Sequence, residues 1–393
     1  MRNDKIKNIN DVDGYRMCRN LYDGLKNYLT LQAFFEKMNT DLNLQAMSFV
    51  FYRLPGETSY TFVAQNSRCQ YVDGWNITKD SKGVLIVPFE TNNQYPMIMI
   101  HPDFKEKGIC IIGHRHDSRK TLRKIADDSE YQFESYKRGF SKCVDALGKE
   151  KLKKIVYSRR LNIQTDGDVA LMDLFLQICN VLPQSYVTLW YTPDTGLWIV
   201  ATPETLLRKS PRMADWETMA LAGTCEWQGT MPSYDNWSKK NKEEHQYVVD
   251  FICHQLGDVT HSKIRKSACY SSRAGNVVHL RTDISFSAEP NVCVGTLLRA
   301  LHPTPAVCGT PSDIAQYYIH QSESSPRKYY AGFSGPIGLD NQTALFVSLR
   351  CMEISENKAT LYAGGGLLKE SHLNDEWQET CRKMYAMEQL FMD

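Results

Sequence analysis

The sequence predicts an α+β fold of large antiparallel β-sheets packed as a sandwich with helices outside them, and three observations carry that prediction. The C-terminal third offers YYAGFSGPIG, TALFVSLRCMEI and KATLYAGGGLL as successive strands. The turns between them, LDNQ and SENK, are too short for a crossover helix, so neighbouring strands must run antiparallel. The hydrophobic share, 42% of 393 residues, is ordinary for a soluble globular core, so sheet faces and helices have to cover one another.

The remaining elements follow in chain order. Residues 1–150 mix a helix pattern from Tyr15 to Met38, short strands such as MSFVFYRL and GVLIVPF, and a charged helix from Ile125 to Lys149. The sequence changes character there. KIVYSRRLNI reads as a strand, followed by a helix from Val169 to Leu182 and the β runs SYVTLWYTP and GLWIVATPETLLRK. A strand around Met219 to Ala222, a helix from Lys239 to Leu256, and a last helix from Asp375 to Phe391 complete the pattern.

Charge and cysteine usage narrow the partners. Forty-six basic residues against 45 acidic ones leave a net charge of +1, so no basic field exists to hold nucleic acid or a membrane surface. A small molecule is the expected partner. Twelve cysteines are scattered singly with no CxxC, which reads as reduced thiols rather than a disulfide frame or zinc site. The N-terminal MRNDKIKNINDVDG has no apolar core of a signal peptide and no later run reaches membrane-spanning length, so the cytoplasm is the expected location.

Within GTLLRALHPTPAVCGTPSDIAQ, two prolines bracket one threonine just after a histidine. Proline pushes its predecessor out of the α region, so His302 and Thr304 are both expected to be extended.

Three stretches set charge or bare backbone against an apolar face. In KNKEEHQYVVDFICHQL, Glu244 shares a helical face with Val248, Phe251 and Ile252 and points inward, whereas Glu243 lies beside Tyr247 and Asp250. A buried carboxylate needs a cation, a metal or several donors; His245 is expected to pack or hydrogen-bond. In NDEWQETCRKMYAMEQLF, Glu376, Glu379 and Lys383 form a strip along the face made by Trp377, Met384, Met387 and Phe391. That strip is either an ordinary ladder of ion pairs or oxygen ligands for a hard cation such as Mg²⁺. In LYAGGGLL, Gly364 to Gly366 suit a turn, or a backbone that must approach something closely. LAGT, Leu221 to Thr224, raises the same question.

Taken together these stretches resemble the chorismate-utilising enzymes, a family of isochorismate synthases, salicylate synthases and the synthase components of anthranilate and aminodeoxychorismate formation. The likeness runs from about Lys154 to Met392 as an ordered string: KIVYSR, TPETLL, LAGT, KNKEEH, HLRT, LHPTPAVCGTP, RKYYAG, SLR, YAGGG and EWQETCRK. Residues 1–150 are similar only loosely, so the expected organisation is one chorismate-binding domain over 1–393, with 1–150 its variable part and 151–393 its catalytic part.

The resemblance implies roles residue by residue. Glu244 and Glu379 would hold Mg²⁺, with Glu376 close by and acting through water, and the metal would hold a carboxylate of chorismate. Gly223 and Thr224 of LAGT, and Gly364 and Gly366 of YAGGG, would line the site for that anion. Arg350, with Tyr330 beside it, would grip the enolpyruvyl carboxylate. Lys383 would lie near the cluster. His302, held with Thr304 by the proline bracket, would sit near the ring, unless it is a satisfied core histidine.

The attacking group decides the product within this family. Lys154 matches the lysine that water-using members employ as general base, which the ammonia-using members lack, so no glutaminase subunit is expected. Ala222 stands where the aminodeoxychorismate enzymes carry a nucleophilic lysine. Glu204, in TPETLL, matches the general acid. The implied reaction is isochorismate synthesis, for menaquinone or, since the product is the same, for a siderophore: Lys154 activates water to attack C2, the double bond shifts, and Glu204 protonates the departing C4 hydroxyl. Such an acid and base need environments that push their proton affinities apart. The alternatives are a salicylate synthase, similar at every one of these positions, and a non-catalytic chorismate-binding protein. Two departures from the family pattern, CEWQG after LAGT and YAGFSGPIG, bear on loops near the site.

Overall fold

The computed structural model describes residues 4–27, 29–110, 122–123, 129–149, 151–165 and 169–391. Its strands form two ten-stranded sheets. Every pairing among the described strands is antiparallel. The first sheet is ordered Gly309–Thr310, Lys154–Thr165, Lys358–Leu367, Cys351–Ser355, Gly196–Thr202, Tyr186–Thr192, Ser48–Arg53, Ser59–Gln65 and Phe104–Ile109, with Leu122–Arg123 against the Lys154 strand. The second is ordered Arg265–Lys266, Val277–Phe286, Trp216–Glu226, Thr205–Lys209, Thr343–Val347, Phe333–Ile337, Gly83–Val87, Ile98–Ile100 and Gln70–Tyr71, with Tyr270–Ala274 against the Val277 strand.

Side chains alternate across each strand and so feed two cores. Tyr186, Trp190, Trp198 and Val200 point into a core shared by both sheets, whereas Val187, Leu189, Leu197 and Ile199 join a second core under the outer helices. Trp190 and Trp198 stack at 6.0 Å, and Tyr186 lies flat on Phe346 of the other sheet at 4.3 Å. Rings of this size each bury on the order of 150–250 Å², a gross gain of about 4–6 kcal/mol apiece at about 25 cal/mol per Å². The α+β sandwich read from the sequence is therefore the observed architecture.

Several expected elements are divided. The Tyr15 to Met38 pattern is two helices, Asp4–Lys26 and Leu31–Thr40, the second capped by Thr30 Oγ1, which accepts from Ala33 N at 3.2 Å. Both pack on the same core, so the apolar period runs straight through the break. The charged helix spans Ser129–Lys149; residues 125–128 of the expected helix lie outside the described residues. GLWIVATPETLLRK is two strands in different sheets, parted at Pro203 and Glu204, because proline has no N–H for a ladder. TALFVSLRCMEI divides likewise between Val347 and Cys351, where Arg350 takes φ +44°. YYAGFSGPIG is a strand only over Phe333–Ile337.

Those two divisions coincide. Gly196–Thr202 pairs with Cys351–Ser355 in the first sheet, and Thr205–Lys209 pairs with Thr343–Val347 in the second. A two-stranded ribbon thus passes from one sheet to the other, tied at the crossing by Val347 N to Glu204 O (3.0 Å) and Ala201 N to Arg350 O (3.2 Å). Glu204 and Arg350 stand at that crossing. The Lys239–Val259 helix packs on the Trp216 strand and the Leu373–Glu388 helix on the Lys358 strand. No described helix is long and apolar enough to cross a membrane.

Candidate active site

A cavity opens where the ribbon crosses, walled by both sheets and both helices. Glu204, Gly223, Thr224, Glu244, Tyr330, Arg350, Gly364, Gly366 and Lys383 all line it. Residues separated by up to 179 positions in the chain are thereby gathered at one place.

Glu204 is buried at the crossing, its N–H bonded to Thr202 Oγ1 at 3.2 Å. Burial raises its carboxyl to about 8 against the pull of Lys154 and Lys383, so it holds its proton at neutral pH. Arg350 is also buried, and its Nη1 has no partner among the described residues. Burial lowers its guanidinium to about 10. A bulky residue in the left-handed region is an outlier, and here that backbone aims an uncompensated cation into the cavity. Its Nη2 lies 3.4 Å from His279 Nε2.

His279, in HLRT, is a cavity residue that the sequence reading did not single out. Burial, with Arg350 and Lys383 nearby, drives it well below the usual imidazole range, so the ring is neutral. Its Nδ1 is 3.2 Å from both Gly223 O and Thr224 Oγ1. A carbonyl can only accept, which assigns the proton to Nδ1 and leaves Nε2 to accept from Arg350. Gly223 itself takes φ +73° at a bulge between Ala222 and Thr224, with Asn241 O where a Cβ would need room; glycine there answers the question LAGT raised.

Three carboxylates gather behind and beside YAGGG, each paired with a lysine. Lys154 Nζ is 3.1 Å from Glu244 Oε1, close enough for a charge pair although off the line of a hydrogen bond. Glu379 pairs with Lys383 at 2.8 Å, and Lys383 also donates to Gly364 O at 2.9 Å. Glu376 pairs with Lys240, and Ser371 Oγ donates to it at 2.7 Å. Burial pushes Glu244 up, but Lys154, Lys240 and Lys383 outweigh it and hold the group below the ordinary carboxylate range. Burial and then the charge of Glu379 raise Glu376 to about 7, against Lys240 and Ser371. Lys240 is the second residue missed in the sequence; its signal was a lysine one helical turn before Glu244.

The glycines are explained by these neighbours. A Cβ on Gly366 would stand 2.1 Å from Glu244 Oε1 and 2.9 Å from Lys154 Cε; one on Gly365 would stand 3.1 Å from Glu376 Oε2 and 3.4 Å from Glu379 Oε1. YAGGG lies within the strand, which continues to Leu367. Beyond Tyr362 it has outrun the Cys351 strand and is paired only with the Lys154 strand, so one backbone edge is open.

Not every expected residue reaches the wall. Lys154 is fully buried behind Glu244, and Glu376 and Glu379 stand behind Lys383 and Gly365. His302 is extended as the prolines require, φ −107° and ψ 132°. Its ring nevertheless packs against Phe333 (5.0 Å) and Trp75 (6.2 Å), with Nε2 3.2 Å from Phe89 O. Thr304 is buried and also off the wall; the same loop presents Ala306 and Val307 instead. The two aromatic rings and the carbonyl are what draw His302 away. His245 is buried, 2.9 Å from Thr282 Oγ1.

The donor set fits a hard divalent cation. Glu376 Oε2 is buried without a partner among the described residues, and two neighbouring carboxylates repel each other. The carboxylates do not close into a compact three-ligand group among the described residues.

A family model described as chorismate binding enzyme matches residues 47–392. The vibriobactin-specific isochorismate synthase of Vibrio cholerae is 26% identical over 76% of this chain and 76% of its own length. The isochorismate synthase MenF of Escherichia coli is 34% identical over 48% of this chain and 44% of its own. The solved structure of the menaquinone-specific isochorismate synthase of Escherichia coli superimposes with a TM-score of 0.72 at 19% identity, covering 88% of this chain and 89% of that one; at that identity the likeness speaks for the fold.

Proposed function

The chain belongs to the chorismate-binding enzymes, and from that membership we propose that it is a Mg²⁺-dependent isochorismate synthase, interconverting chorismate and isochorismate. The observation that carries the reading is a buried carboxyl held protonated, Glu204, in the same cavity as Arg350, whose Nη1 has no partner among the described residues, and as Glu244, with Lys154 buried behind it. A dianionic substrate, an acid to donate a proton and a base to accept one are what such a set suits.

In the proposed reaction Arg350 holds the enolpyruvyl carboxylate with its fork, Tyr330 stands beside it, and His279 orients the guanidinium through Nε2. Water adds at C2 and gives its proton to Lys154, which must first be neutral and so turned from Glu244. The ring double bonds shift, and the C4 hydroxyl leaves as water with the proton of Glu204. One water enters and one leaves, so the product is an isomer. Glu244 and Glu379, with Glu376 through water, are the residues that would hold Mg²⁺; bound there, the ion supplies positive charge to a substrate carboxylate and orients the ring.

Residues 48–109 give strands to both sheets, which supports reading 1–393 as one catalytic domain. We assign the product to menaquinone synthesis and the protein to the cytoplasm, acting without a glutaminase subunit. Turnover in ¹⁸O-labelled water tests the chemistry: the account expects one heavy oxygen in each isochorismate formed, and a product without label contradicts it.

A further inference from the structure

The outer edge of the Lys154 strand has an unusual neighbour. Its partner strand, Gly309–Thr310, is only two residues long and pairs with Ile155 and Lys154. Val156 N then finds Cys308 O at 2.7 Å. Past that point the ladder is continued by side chains. Arg327 Nη2 donates to Val156 O at 2.6 Å, and Ser158 N donates to Glu323 Oε1 at 2.8 Å. The same guanidinium sends Nη1 to Val307 O at 2.6 Å, and its Nε meets Glu323 Oε1 and Oε2 at 3.1 and 2.9 Å.

Both partners are almost fully enclosed, with side chains 2% and 6% exposed. A buried pair of this kind repays its desolvation only when nearly every donor and acceptor is used, and here two of the bonds go to backbone carbonyls of residues that border the cavity. Val156 and Val307 line it, and Val156 sits two positions beyond Lys154 on the same strand face. Arg327 thus spans the strand that carries Lys154 and the loop wall that faces it.

We propose that Arg327 is a positioning residue for the reaction: its fork, bonded to Val156 O and Val307 O, holds the Lys154 strand and the Ala306–Val307 wall in one register. The inference rests on the isochorismate reading above. A lysine cannot span two carbonyls and a carboxylate, and a displacement of about 1 Å at a reacting group can cost on the order of 100-fold in rate.

The test uses the full chain with chorismate and Mg²⁺. R327K is expected to fold, to lower kcat at least tenfold and to leave KM for chorismate within threefold. E323Q keeps the fork and an acceptor for Ser158 N–H; it is expected to melt lower, because it leaves a buried charge uncompensated, while keeping kcat within threefold below its melting range. A purely structural role predicts instead that loss of kcat follows loss of melting temperature in both variants. Wild-type kcat in folded R327K overturns the proposal, as does a tenfold loss in folded E323Q. A wild-type chain that fails to convert chorismate overturns the activity reading itself, a result distinct from either.

Discussion

Lys154 Nζ and Glu244 Oε1 stand 3.1 Å apart, with the lysine wholly excluded from solvent. Each accounts for the burial of the other, since either charge alone in that place would cost several kcal/mol. The contact also explains Gly366, whose backbone lies where any side chain would strike both groups. In the proposed reaction, base chemistry at Lys154 would begin with its separation from Glu244.

Lys154→Ala is expected to lower isochorismate formation by about 100- to 10,000-fold, the usual share of a general base, while chorismate still binds. Initial rates together with equilibrium binding, taken below the variant's melting range, check it. Normal isochorismate formation removes Lys154 from the mechanism.

Glu204 carries a pH dependence of definite sign. Burial raises its folded carboxyl to about 8 from an ordinary value of 4.5, so between these values the folded chain keeps a proton that the unfolded chain has lost. The stability this group contributes is full below pH 4.5 and falls as pH rises through 8. Glu204→Gln should therefore gain melting temperature relative to wild type on going from pH 5 to pH 8.5, and should lose the alkaline limb near 8 in kcat/KM. Melting differences that do not move with pH contradict the assignment.

Arg350 is a buried cation whose Nη1 has no partner among the described residues, a state that favours binding over stability. Arg350→Met is expected to raise the melting temperature, and to raise KM for chorismate by about 10- to 100-fold, the worth of a charged hydrogen-bonded pair at roughly 1.5–3 kcal/mol. A variant that melts lower and binds as well as wild type contradicts both halves.

Much of this was legible in sequence, for physical reasons. Glu244 could be placed on an inward face because a helix repeats every 3.6 residues, and three consecutive glycines announced a backbone that something must approach. What could not be read was where a strand changes sheets. Leu197 to Lys209 is one continuous β-like run, yet its two halves belong to different sheets, and only Pro203 marks the place. Lys240 and His279 were missed because a lysine on a first helical turn and a histidine in a strand have ordinary uses elsewhere. His302 was legible in backbone and not in side chain: the prolines dictate its φ, but Trp75, Phe89 and Phe333 come from distant segments.

Glu379→Ala is expected to abolish Mg²⁺-dependent turnover, and chelation of divalent cations should silence the wild-type chain reversibly. The reason is the carboxylate pair: removing Glu379 lifts the repulsion that raises Glu376 and takes from Lys383 the carboxylate it pairs with, leaving its bond to Gly364 O. Undiminished activity of the variant at low Mg²⁺ contradicts the metal assignment.

The most direct measurement is proton NMR of the purified protein with Mg²⁺ and no ammonia, started once from chorismate and once from isochorismate. The account predicts the same chorismate to isochorismate ratio from either side. Salicylate with equimolar pyruvate, or no conversion in either direction, contradicts it.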